Sequence, residues 1–133
     1  MRRRRETRSK KLKEIKMSNF SKTHVNDAAR TELHDTLGLT GAEVSINNLP
    51  AGASVPFVHS HKNNEEIYVI LDGEGHANLD GEDVSLKKGD WVKVSPACKR
   101  QFFAAGDSAI SFACIQTKEN SLQGFTADDA IME

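Results

Sequence analysis

From Ala42 to Gln116 the chain is cut by Gly, Pro, Asn and Asp into short runs of β-forming residues, and this punctuation limits the fold more than any other feature. The runs lie at 43–49, 54–61, 66–71, 75–79, 82–86, 91–94, 100–104 and 109–116. Eight short strands at such spacing predict a β-sandwich or barrel. Asp80-Gly81 between two runs predicts a tight hairpin, because glycine accepts the positive φ of a primed turn. Ala105 to Ser108 reads as a second turn. Ahead of the strands, Asn26 or Asp27 is placed to cap a short helix through Leu37, with Gly38 as its stop. Beyond Gln116 the alternation fails, which predicts a loop and an irregular or briefly helical tail.

With 133 residues the chain has the length of one domain with a single core. No run approaches the roughly 18 apolar residues of a membrane span. Cys98 and Cys114 follow no secretory signal, and one pair makes a poor disulfide framework, so two free thiols in a reducing cytoplasm are expected. The net charge of −1 hides an asymmetry. Residues 1–16 hold nine basic and two acidic side chains, leaving nine basic and 17 acidic for residues 17–133. The leader is either a basic arm for nucleic acid or a disordered extension ahead of a start at Met17. Lacking aromatic residues for stacking, it fits the second reading better. The chain thus divides into a leader (1–16), a strand or helix segment (17–41), a barrel (42–117) and a tail (118–133).

Inside the barrel region stands GASVPFVHSHKNNEEIYVILDG, residues 52–73. Side chains alternate along a strand, so His59 and His61 point the same way, and a loop can return Glu66 to meet them. Two imidazoles and one carboxylate suit a divalent ion, with positions left for substrate, water or oxygen. Glu65 alternates away from Glu66 and is expected at the surface, as are His24, His34 and His76. Arg100, next to Gln101, is expected to face solvent.

The spacing of His59, His61, Glu66 and Gly73 closely resembles the first motif of the cupin family. Gly89 to Phe102 resembles its second motif, with one extra residue before Pro96, Cys98 where glycine is usual and Gln101 where a histidine ligand is usual. The resemblance implies an all-β double-stranded β-helix, a jelly-roll barrel, and a metal (Fe, Mn, Ni, Co or Zn) held by His59, His61 and Glu66, with Gln101 as fourth ligand or as an orienter. Counting by twos from these positions predicts a pocket walled by Phe57, Tyr68 and Phe103, joined by Phe112 and Cys114 if that face of the last strand points inward. A metal-dependent oxygenase or an isomerase or lyase acting on a small polar substrate is one functional reading. A non-catalytic module for a sugar or acid is the other, since the fold does not choose between them. A homodimer is expected because a small barrel leaves sheet edges and apolar faces open.

Overall fold

The computed structural model describes residues 18–125 and 127–133, so the expectations for the basic leader fall outside the described residues. Among the described residues seven strands form in chain order: β1 (Arg30–Glu32), β2 (Glu43–Leu49), β3 (Asn64–Leu79), β4 (Glu82–Lys87), β5 (Trp91–Val94), β6 (Arg100–Ala104) and β7 (Ile110–Lys118). All pairings between them are antiparallel. The first half of β3 joins β7 and β5 in the sheet that continues through β2 to β1, while its second half joins β4 and β6 in the other sheet. Two sheets sharing one long strand make the expected all-β jelly-roll barrel.

Two of the expected runs, 66–71 and 75–79, are thus one strand that changes sheets. Glycine makes the passage possible. Gly73 has φ 78°, and a side chain there would run into the Ala109 carbonyl; one at Gly75 would run into the Phe103 carbonyl. The expected turn at Asp80-Gly81 forms with φ of 51° and 84°.

Residues 54–61 do not form a regular strand. Bonds from Ala104 N to Ala53 O and from Val55 N to Phe102 O, and a reciprocal pair between His59 and Arg100, still hold this segment beside β6. Pro56 lies between these contacts and has no N–H to continue the ladder. The expected helix from Asn26 also fails, because Arg30–Glu32 pairs with Ser45–Asn47 and only the turn His34–Leu37 (α1) is helical. Gly38 ends it in the left-handed conformation at φ 67°, as expected. Leu122 and Phe125 of the tail are exposed, and residues 127–129 form a single 3-10 turn.

The core sits between the sheets around Tyr68, Ile70, Leu86, Val94, Phe102, Ile110 and Phe112. Tyr68 stacks on Phe102 with centroids 4.1 Å apart, and Phe102 on Phe112 at 5.2 Å. On β2 the alternation is inverted: Ser45 and Asn47 are buried with the core, while Val44 and Ile46 lie on the outer face. Ile67 and Val69 of β3 and Ala113 and Ile115 of β7 continue that outer face by register, ending at Trp91, which is 66% exposed. Strands apolar on both faces belong in sheets covered on both sides.

Candidate metal centre

The reciprocal pair with Arg100 fixes the backbone at His59, and the bond from His61 N to Pro96 O, 2.8 Å, fixes the backbone two residues on. Glu66 lies opposite them on β3, between Val94 of β5 and Gln116 of β7. One donor atom from each of His59, His61 and Glu66 falls within 4.8 Å of the others, so the structure brings together the three residues expected from spacing. His61 Nε2 stands 3.4 Å from Glu66 Oε2, and His59 Nε2 3.9 Å from Oε1. His61 Nε2 and His59 Nδ1 are buried without a hydrogen-bond partner among the described residues. Buried polar atoms are rarely left so. A lone pair aimed into a gap of this width beside a carboxylate is what a divalent ion would occupy, so the donor set fits one.

The two oxygens of Glu66 have different surroundings. Oε1 accepts from Tyr68 Oη at 2.7 Å and from the Arg100 guanidinium, and Oε2 from Cys114 Sγ at 3.1 Å. Burial pushes the Glu66 carboxyl up, but the bonds from Cys114, Tyr68 and Arg100, with the field of His61, outweigh it and hold the group below its ordinary value. Burial lowers His59, more than Glu66 raises it, which keeps the imidazole neutral and its lone pair available. Tyr68 and Cys114 are both pushed well up, by burial first and then by the negative charge nearby, so they remain protonated donors.

Arg100 departs from the expectation that it faces solvent. It has 0% of its surface exposed. Its Nη2 donates to the carbonyls of Ser95, Pro96 and Cys98, its Nε to Cys98, and its Nη1 to Glu66. The guanidinium therefore fastens the loop before β6 to the carboxylate. The inward phase of β6 is Arg100, Phe102 and Ala104, one residue out of step with a count from Gln101. Phe103 consequently leaves the pocket and stacks on His76 at 4.6 Å, and Phe102 takes the inward place assigned to it. Gln101 remains on the cavity wall, with Nε2 donating to Val55 O at 2.8 Å.

A cavity of about 560 Å³ opens over the site. Tyr68, Phe112 and Cys114 line it as expected, and Phe57 stands half-exposed at the mouth with its ring 5.6 Å from that of His59. Beside Phe112 and Cys114, on the neighbouring strands β2 and β1, the lining includes residues that sequence reasoning missed, notably Arg30, Ser45 and Asn47. For Ser45 and Asn47 the signal was the inverted alternation of Glu43 to Leu49, which needs the neighbouring strands to be legible.

Comparison with known proteins gives a family match to the cupin domain over residues 46–116. An uncharacterized protein of Methanocaldococcus jannaschii is 33% identical over 66 residues, which are 50% of this chain and 52% of that one, so the likeness spans about half the length of that relative. Among solved structures, a cupin protein from Bacteroides fragilis is 58% identical with a TM-score of 0.86, covering 88% of this chain and 99% of that one. A predicted oxalate decarboxylase from Thermotoga maritima is 23% identical, with a TM-score of 0.53 over 72% of this chain and 99% of its own. A putative sugar phosphate isomerase from Acidithiobacillus ferrooxidans is 20% identical, with a TM-score of 0.58 over 80% of this chain and 72% of that one.

Proposed function

The chain belongs to the cupin domain family, and we propose that it uses His59, His61 and Glu66 to hold one divalent ion beneath a cavity that takes a small polar molecule. The observation carrying this reading is the orphaned Nε2 of His61, 3.4 Å from a buried, ionised carboxylate, with a donor atom of His59 gathered beside them. Fe, Mn, Ni, Co and Zn all accept such a donor set, and the bound ion would supply Lewis-acid or dioxygen chemistry of the oxygenase or of the isomerase or lyase type. The protein's own part is orientation and dryness. Arg100 and Tyr68 pin Oε1 of Glu66 and leave Oε2 facing His61. Gln101, its amide nitrogen committed to Val55, serves as an orienter joining β6 to the 53–61 segment.

A second reading, a binding module without turnover, is favoured by one specific observation. Tyr68 and Cys114, the remaining proton carriers near Glu66, are raised far enough to keep their protons, so neither offers a base near neutral pH. The two functions separate in one experiment. Protein loaded in turn with each metal is given enediols, thiols, sugar acids and oxalate, and oxygen uptake and product formation are measured. Turnover abolished by His59→Ala with His61→Ala supports the enzyme; tight binding of one compound without turnover supports the module.

We also propose a homodimer formed through the outer face of β2, β7, β3 and β5, where Ile46, Val69, Ile115 and Trp91 present apolar surface. Among the described residues no helix is long and apolar enough to cross a membrane. Cytoplasmic residence is proposed on the two free thiols.

A further inference from the structure

On the reading that the cavity holds a small ligand, we infer that Ser45, aimed by Arg30 through Asn47, donates a hydrogen bond to a carboxylate of that ligand. Arg30 Nη1 donates to Asn47 Oδ1 at 2.8 Å, and Asn47 Nδ2 donates to Ser45 Oγ at 3.1 Å. The direction of this chain is fixed by chemistry. A guanidinium only donates, so the Asn47 oxygen must face Arg30 and its NH₂ must face Ser45. Ser45 Oγ then accepts from Asn47, and its own proton points elsewhere. Among the described residues Ser45 Oγ takes part in this one hydrogen bond, as acceptor, and donates none, although Ser45 is only 3% exposed and Asn47 only 7%. Ser45 lines the cavity. A buried hydroxyl with an unspent donor beside an open cavity calls for an acceptor from outside.

Charge selects the kind of acceptor. The relay begins at a cation, and each bond polarises the next, so the Ser45 proton is presented with positive potential behind it. Glu32 bonds Arg30 Nε at 3.1 Å from an exposed position, where water screens its effect. On the same sheet, Cys114 lies in register with Ser45 and donates to Glu66 at 3.1 Å, but Arg100 offsets the charge of that carboxylate, which therefore repels an anion less than a free one would. The stacked wall of Tyr68, Phe102 and Phe112 asks for an apolar body behind the anionic head. The geometry therefore points to amphipathic monocarboxylates.

The test uses the full chain in the presence of a chelator, with 3-phenylpropionate and its amide as probes and calorimetry as readout. Metal content is measured separately, so the outcome is independent of whether the metal reading holds. The carboxylate should bind tenfold or more tighter than the amide, the scale of one hydrogen bond to a charged acceptor. Ser45→Ala should lower the carboxylate affinity by a similar factor. Asn47→Asp is the diagnostic change, because a carboxylate at 47 accepts from both Arg30 and Ser45 and turns the hydroxyl proton away from the cavity. It should cost as much affinity as Ser45→Ala while the hydroxyl remains; if it does not fold, Ser45→Ala decides alone. No binding of the carboxylate, equal binding of the amide, or wild-type affinity in folded Ser45→Ala or Asn47→Asp would overturn the inference.

Discussion

The guanidinium of Arg100, wholly enclosed, donates to Oε1 of Glu66, so a carboxylate expected to serve only a metal is also the anchor of the loop before β6. Four further bonds from Arg100 to the Ser95, Pro96 and Cys98 carbonyls tie that loop to the carboxylate, beside the bond from His61 N to Pro96 O. Removing one partner of a buried pair strands the other charge. Arg100→Met is expected to destabilise the metal-free protein by roughly 3–5 kcal/mol in urea unfolding. Adding Glu66→Gln to it should recover part of the loss, since no uncompensated charge then remains. A loss below about 1 kcal/mol for Arg100→Met would mean the pair is not buried as described.

Stability of the metal-free protein should fall as the solution is acidified, in two stages. His59 is depressed by burial, so the unfolded chain takes up its proton first, and stability present above about pH 6.5 declines below it. Glu66 is also depressed, so its contribution is complete above about pH 4.5 and is lost as pH falls through the folded value. Melting temperature against pH, measured in chelator, should slope downward toward acid, and Glu66→Gln should flatten the more acidic limb. A profile of Glu66→Gln parallel to wild type throughout would exclude this role for the carboxylate.

The thiols should differ in reactivity. Burial raises both, but Cys114 is pushed much further, held by the Glu66 charge behind it, whereas Cys98 is only half-buried and bonds the Lys99 carbonyl weakly at 3.7 Å. A thiol reagent on the native protein should label Cys98 at least tenfold faster, with Cys114 reacting on unfolding. Equal rates by mass spectrometry would show that Cys114 is open to solvent.

Sedimentation equilibrium at tens of micromolar protein should give twice 14.7 kDa. Trp91→Glu, which puts charge on the outer sheet face without touching the core, should shift the population toward single chains. A mass of 14.7 kDa for the wild type would remove the dimer, and a Trp91→Glu dimer of unchanged affinity would move the interface elsewhere.

Much of this architecture was legible because it is local. The bounds of β2, β5 and β6 follow from propensity and punctuation, and the histidine and glutamate spacing lies within eight residues. What escaped depends on contacts distant in sequence. Arg30–Glu32 is a strand only because Ser45–Asn47 offers it an edge, which outweighs the helical tendency of the segment around it. Arg100 faces inward because the carbonyls of the 95–98 loop turn to meet it, and that geometry shifted the phase of β6 and exchanged Phe103 for Phe102. The polar wall of Ser45 and Asn47 reads on paper as a solvent face, and only its partners on β7, Cys114 and Phe112, mark it as interior.

The metal centre itself is tested most directly by elemental analysis of protein purified without a chelating tag, wild type beside His59→Ala with His61→Ala. About one divalent ion per chain is expected in the wild type and none in the double variant. A metal-free wild type after reconstitution with each candidate ion, or a double variant that keeps its full complement, would contradict it.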